Sequence, residues 1–340
     1  MLAALKHAHT SIELEQYIFA NDSVGQEFLD VIRERAAAGV KVRLLFDTVG
    51  SWFLYNSSTP RLLRNTGIEI RFFNPISPWR IGSFFAWFFR DHRKILVIDD
   101  EIGFTGGIGI REDMANWRDT NVQVSGPIVA EMKYAFEEMW AQAIDKDIIS
   151  RLKKARRSIR GFHFLTNAPY WKKRFLYQNF IDAIRSARST VYLTTPYFIP
   201  DRRLRRVLRL ACRRGVDVRV LVPKISNEAL VGYAGHSYYQ ELFESGIRIF
   251  QYDKTFMHAK TAVIDTEWAT VGSFNLDSLS FLYNYEANIV STEQEMVDAL
   301  YAHFVEDINV SREINPREWH NRPRIEKVRE FFIVPFRRFL

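Results

Sequence analysis

The chain is short of cysteine, has no long apolar run and, over one stretch, has almost no acid. Cys212 is the single cysteine among 340 residues. No internal disulfide is therefore possible, and a reducing compartment is compatible. Cys212 sits among apolar residues of an expected helix, which reads as inert packing rather than a reactive thiol. No apolar run approaches the ~18–20 residues that a membrane span needs. Met1 opens no signal-peptide pattern. The helix-like start LAALKHAHTSIELE is abrupt, as expected where an earlier segment is missing. Between residues 151 and 224 three Asp face twenty Lys and Arg, within a chain of net charge +7. That bias favours anionic partners: nucleic acid, acidic lipid headgroups or phosphorylated substrates. A solvated face plus a linker is the plainer reading of the same charges.

What is present is enough for a core. Apolar residues make up 47% and aromatics 14%, which is globular rather than disordered composition. The length suits two ordinary domains.

The chain also repeats itself. DHRKILVID (91–99) and MHAKTAVID (257–265) share the spacing His-x-Lys-x4-Asp, 166 residues apart. Upstream, SIELEQYIF (11–19) matches TVYLTTPYFI (190–199) as a strand ending at an aromatic. AAAGVKVRLLFD (36–47) matches CRRGVDVRVLV (212–222): a helix end, a Gly just past it, then a strand. NTGIEIRFF (65–73) matches ESGIRIFQY (244–252) in the same way. Ser23 and Gln26 are expected to form a capping box before Phe28, Leu29 and Ile32. Each half thus reads strand, helix, strand, helix, strand, motif strand. That order predicts an α/β fold with mixed or mostly parallel sheets. The expected division is 1–147, a basic linker 148–175, a second half 176–310 and a tail 311–340.

In a strand, side chains two apart share a face, so His92 and Lys94 point together, as do His258 and Lys260. A histidine beside a lysine is a poor metal site, because the ammonium repels a cation and no second ligand stands at ligand spacing. It is a good anion site: imidazole can attack or shuttle protons, and lysine can neutralise a phosphate oxygen. Fourteen residues after each histidine come GGIGI (106–110) and GSFNL (272–276). Small residues there, Gly107 among them, are expected to let backbone N–H groups approach an oxyanion, with Ser273 and Asn275 adding side-chain donors. Asp119 and Glu286 follow at 27 and 28 residues. Each is expected to orient the histidine of its own half by the second ring nitrogen. A lone motif would arise in about one chain in fifty, so the weight rests on the second copy and its matched glycines and acids. The alternative for each histidine is a satisfied core residue. For Asp99 and Asp265 two readings stand: a turn cap at a strand end or a support role at the site.

The words LEQYIFANDSVG, FRDHRKILVIDD, FTGGIGI, NWRDTNVQVSGP, HAKTAVID and GSFNLDSLSFLYNYE resemble the phospholipase D superfamily with its paired HKD motifs. The closest resemblance is to bacterial cardiolipin synthases of the shorter branch without N-terminal spans, and it covers most of residues 10–305. It implies two similar α/β/α sandwich domains about a pseudo-twofold axis, with one histidine from each. It implies catalytic His92, Lys94, Asp99, His258, Lys260 and Asp265, supported by Gly107, Asp119, Ser273, Asn275 and Glu286, with no metal and no cofactor. It further implies phosphatidyl transfer through a phosphohistidine, with His92 as nucleophile and His258 as general acid, then base. An unperturbed histidine pKa of ~6.5 would let one ring be neutral and one protonated near neutrality. The implied substrate is an anionic phospholipid, phosphatidylglycerol, met by peripheral contact with a bacterial inner (cell) membrane. One departure is Gly109, where family members carry the counterpart of Asn275.

Two stretches bear on the partner. PWRIGSFFAWFFR (78–90) and VREFFIVPFRRFL (328–340) interleave aromatics with Arg, as membrane-interface segments do. A core helix and an ordinary docking tail are the plainer alternatives. Aromatics also stack bases, so a phosphodiesterase or nuclease remains the second reading, beside a phospholipase D hydrolase. A non-catalytic lipid-binding protein is disfavoured by two intact His–Lys pairs.

Overall fold

The computed structural model describes residues 1–76, 88–144, 161–169 and 174–339. Most of the aromatic stretch 78–90 and the basic run 148–160 lie outside the described residues.

Six strands form the first sheet: β1 (Ser11–Gln16), β2 (Lys41–Asp47), β3 (Glu69–Phe73), β4 (Ile95–Ile98), β5 (Ile102–Gly106) and β6 (Asn121–Ser125). Eight form the second: β7 (Phe162–Asn167), β8 (Thr190–Thr194), β9 (Asp217–Pro223), β10 (Arg248–Tyr252), β11 (Thr261–Ile264), β12 (Trp268–Gly272), β13 (Glu286–Ser291) and β14 (Ser311–Glu313). The first runs β3-β2-β1-β4-β5-β6, and the second carries the same order, β10-β9-β8-β11-β12-β13, between β14 and β7. In each, three parallel strands joined by helices meet three antiparallel ones. The duplication seen in the sequence is therefore a duplication of topology, and the sheets are mixed.

The repeat glycines do what their positions predict. Gly39, Gly67, Gly215 and Gly246 all have positive φ, between 80° and 93°, closing helices before strands. The cap of the first long helix differs from expectation. Helix Ser23–Ala37 is capped by Asp22, whose carboxylate accepts from Gly25 N at 2.9 Å. Gln26 instead donates to Asn21, so no capping box forms. Cys212 packs against the apolar core of the second half, and burial pushes its thiol up to about 11.

Two expected boundaries need correction. The interval 148–175 is more than a linker, because β7 pairs with β13 over six residues. The segment after 310 is more than a tail, because β14 pairs with β10 and helix Arg324–Ile333 docks on helix Ala229–Glu244. Edge strands need partners or covers, and these two segments supply them to the second sheet.

The motif strands are buried on both faces. Leu96 and Ile98 of β4 join the core under the helices of the first half, while Ile95 and Val97 face the other way. There they meet Val263 of β11, Val271 of β12, and Ala287 and Ile289 of β13. One apolar cluster thus belongs to both halves and fixes them against each other. β4 runs antiparallel to β1, and β11 antiparallel to β8. Each motif histidine, just before its strand, therefore lies at the carboxyl end of the parallel strands of its half.

Candidate active site

The segments leading into the two histidines cross between the halves. Asp91 bridges Tyr285, and Arg118 bridges Met257. His92 N donates to Tyr285 O at 3.0 Å, and His258 N donates to Arg118 O at 2.8 Å. Glu286 follows Tyr285 and Asp119 follows Arg118, so each acid is delivered to the opposite histidine. His92 Nδ1 lies 3.0 Å from both carboxylate oxygens of Glu286. His258 Nδ1 lies 2.7 Å from Asp119 Oδ2. The expected pairing within each half is wrong. The acids are exchanged, because the bridging strand pairs bring the other half's acid to each ring.

The carboxylates are held in turn. Glu286 accepts from Ser273, from Ser280 Oγ at 2.7 Å and from Asn284 Nδ2 at 3.4 Å. Its pKa is held below the ordinary value: burial pushes up, and His92, Lys94 and Ser273 outweigh it. Ser273 also accepts from Ala287 N at 3.0 Å, so in this structure it supports the acid rather than offering a donor to an oxyanion. Asp119 accepts from Thr120 N at 2.7 Å.

The glycines have a different use from the one expected. Gly107 N already donates to Thr120 O, and Gly272 N to Lys260 O, so these amides are spent in the sheet. A Cβ on Gly107 would sit 2.3 Å from Asp119 Oδ1. The glycine makes room for the acid that holds His258. A Cβ on Gly109 would lie 2.9 Å from Ile18 Cβ and 3.0 Å from Met114 Sδ. A larger residue there would need these neighbours to shift. Asn275 is buried, and its Oδ1 has no partner among the described residues, as is also true of Gln16 Oε1.

Lys94 Nζ donates to His92 O at 2.6 Å, and Lys260 Nζ donates to His258 O. Both lysines are buried. Burial lowers Lys94 to about 8 and Lys260 to about 7, against partial rescue by Glu286 and Asp119. The histidines are also lowered. Burial is the main cause for both, with Lys94 adding at His92 and Lys260 at His258, where the pKa falls to about 3. Lys260 also acts on His92, and Lys94 on His258, so the four groups share one electrostatic environment. Both shifts favour the neutral ring in the free site.

Asp99 and Asp265 are elsewhere. Each ends its motif strand, at the far end from its histidine. Asp99 accepts from the amides of His9, Thr10 and Ser11 and from Thr10 Oγ1, at 2.7–2.9 Å. Asp265 accepts from the amides of Arg188, Ser189 and Thr190 and from Ser189 Oγ, also at 2.7–2.9 Å. Both have φ of 55°. They are turn clamps, which corrects their placement among catalytic residues.

Several contributors were not expected from the sequence. Tyr17 meets the His92 ring edge-on at 4.8 Å, and Trp117 lies 4.9 Å from His258. Arg93, between His92 and Lys94, is buried with Glu15 at 2.8 Å and Asp91 at 3.7 Å. The second half has Ala259, Thr194 and Met257 in their places. That charge asymmetry is visible when the repeats are laid position by position, although the burial that gives it meaning is not.

Residues 1–140 and 180–308 match the family described as "Cardiolipin synthase, PLD-like domain". The chain belongs to this family. Among its curated relatives, "Probable cardiolipin synthase YwiE" of Bacillus subtilis is 33% identical over 97% of this chain and 67% of its own length. "Cardiolipin synthase" of Geobacillus kaustophilus is 33% identical over 95% of this chain and 66% of its own length. The chain thus spans about two thirds of these relatives. In fold it resembles the phosphatidylserine synthase of Haemophilus influenzae, with a TM-score of 0.79 at 14% identity, covering 100% of this chain and 92% of that one. The family's two-domain PLD-like architecture is the one described above, and among the described residues no helix is long and apolar enough to cross a membrane.

Proposed function

We propose that this chain transfers phosphatidyl groups through a phosphohistidine, making cardiolipin from phosphatidylglycerol with release of glycerol. The observation that carries this reading is the crossed pair of His–acid dyads flanked by two buried lysines. Such a site is built for a phosphodiester anion that two imidazoles serve in turn.

The entering phosphate brings negative charge against Lys94 and Lys260 and raises both toward the ammonium form. It raises the histidines as well, so one ring can hold a proton. His92 Nε2 attacks phosphorus while Glu286 holds Nδ1–H. The P–O bond to the headgroup glycerol breaks, and the protonated His258 gives its proton to the leaving oxygen. His258, now neutral, takes the proton of an incoming hydroxyl. That oxygen attacks phosphorus, and the P–N bond to His92 breaks. Lys94, Lys260 and the amide of Asn275 meet the charge that builds on the phosphoryl oxygens. A lipid hydroxyl as acceptor gives cardiolipin, and water gives phosphatidic acid. The names of the relatives favour the lipid hydroxyl. The working place is peripheral, at a bacterial inner (cell) membrane, with the C-terminal segment in contact with lipid.

Mass spectrometry of products from pure enzyme and phosphatidylglycerol vesicles tests the reaction. Cardiolipin and glycerol are expected, and phosphatidic acid alone would replace the transferase with a hydrolase. His92→Ala and His258→Ala each lower turnover by more than about a thousandfold with the fold retained. Cleavage of single-stranded DNA with untouched lipid would favour the nuclease reading instead.

A further inference from the structure

Among the described residues, four of the five most exposed large apolar side chains are Phe53 (84%), Ile225 (78%), Phe331 (73%) and Phe332 (69%). The fifth, Ile144 (70%), follows helix Ile128–Gln142. The four come from three segments distant in sequence, and each segment is tied to the surroundings of the histidine site.

Phe53 follows β2. Its loop is pinned by Ser51 Oγ, which donates to Tyr17 O at 2.9 Å, and Tyr17 is the ring against His92. Gly50 lies so close to Tyr17 that a Cβ would come within 2.2 Å of its carbonyl oxygen. Asp47, at the end of β2, accepts from Asp91 N at 3.0 Å. Ile225 follows β9, the pseudo-equivalent strand, and exposed Leu230 is close behind. There Asn227 Oδ1 accepts from Tyr197 OH at 2.8 Å, and Phe198, next to Tyr197, bridges Leu276 beside Asn275. Phe331 and Phe332 lie on helix Arg324–Ile333, which docks on helix Ala229–Glu244, with Arg329 donating to Tyr233 OH at 3.0 Å. The chain then returns to the site: Arg337 O accepts from Ser278 Oγ at 3.3 Å. Ser278 opens the short helix whose Ser280 holds Glu286.

These three patches therefore share the carboxyl end of the parallel strands, the end on which both histidines lie. Ile325, Val328 and Phe336 extend the third patch outward. Arg324, Lys327 and Arg329 are interleaved with it, and none of the three pairs with a carboxylate among the described residues. Exposed apolar side chains with unpaired cations between them complement an anionic bilayer, where rings enter the headgroup zone and cations meet phosphates.

We infer that the loop after β2, the loop after β9 and the C-terminal helix form one docking rim around the site's mouth, which seats that mouth on an anionic bilayer. The pseudo-twofold supplies the two loops as a matched pair, and the C-terminal helix adds the cations. This rests on the lipid reading of the site, and extends the contact from the C-terminal segment to both halves.

The test separates docking from chemistry. Three paired variants are made: Trp52→Ser with Phe53→Ser, Ile225→Ser with Leu230→Ser, and Phe331→Ser with Phe332→Ser. Flotation uses vesicles of phosphatidic acid and phosphatidylcholine in equal parts, which are anionic and contain no phosphatidylglycerol. Each pair is expected to weaken vesicle binding about tenfold or more, while turnover of monomeric short-chain phosphatidylglycerol stays within about twofold of wild type. Wild-type binding in either loop variant would overturn the rim. So would light scattering that shows a dimer split by these changes, since the patch would then be a self-interface. If the wild type binds through the rim yet never turns over the monomeric lipid, docking stands and the proposed reaction falls.

Discussion

Glu286 and Asp119 decide the tautomer of the rings they touch. An imidazole whose Nδ1–H is held by a carboxylate presents an unprotonated Nε2 to phosphorus. Glu286→Gln and Asp119→Asn keep the shape but can hold the ring in the wrong tautomer. Each is expected to lower kcat about a hundred- to ten-thousandfold with KM little changed, as steady-state kinetics would show. The lysines make a second, thermodynamic prediction. In the free site Lys94 lies at about 8 and Lys260 at about 7, below their ordinary value of 10.5. An unfolded chain holds more protons than the folded one across that window, so stability contributed by these groups rises with pH and is lost as pH falls toward 7. A bound anion reverses the depression. Binding of inorganic phosphate near pH ~8 should therefore take up protons, visible in calorimetry as a heat that depends on the buffer's ionisation enthalpy. A heat independent of buffer would contradict lysines that are partly neutral before the anion binds.

At the level of strands and turns, the aspartates closing the two motifs clamp hairpins. Asp99 and Asp100, like Asp265 and Thr266, have φ between 54° and 60°, and the carboxylate satisfies three amides that strand ends would leave open. Asp99→Ala or Asp265→Ala should cost about 1–3 kcal/mol of stability and leave kcat of the folded enzyme within about twofold of wild type. Thermal unfolding and kinetics on the same samples check the loss and the retained rate. The aspartates' spacing is plain in the sequence but leaves two roles open. Strand length settles the matter, since the residues between Lys94 and Asp99 put the acid at the opposite end of an extended segment. The acids at 119 and 286 show the reverse case. Their spacing pointed to dyads, and dyads exist, but the partners are exchanged because spacing along one chain says nothing about which strands bridge. β7 was hidden for a related reason: it joins the sheet at its edge, against β13, and an edge strand after a basic run leaves a weak pattern.

Each half has a core of its own, and a further cluster joins the two. Ile95 and Val97 from one and Val263, Val271 and Ile289 from the other occupy the same cluster, and both His–acid pairs span it. Ile95→Ala should cost about 2–5 kcal/mol and lower the stability of both halves together, in a single calorimetric transition. Two separated transitions would show that the halves are independent units. Residue order alone was enough for the duplicated α/β pattern, the glycine-closed helices and the two His–Lys pairs, because these depend on local periodicity and on the spacing of single side chains. It took the packed molecule to make the acids cross, to have Gly107 make room for Asp119, to set Asp99 and Asp265 away from the chemistry and to discharge the lysines in part before substrate arrives. The crossed acids depend on contacts between residues more than a hundred positions apart, and the other outcomes on burial and on contacts that packing creates and no local pattern encodes.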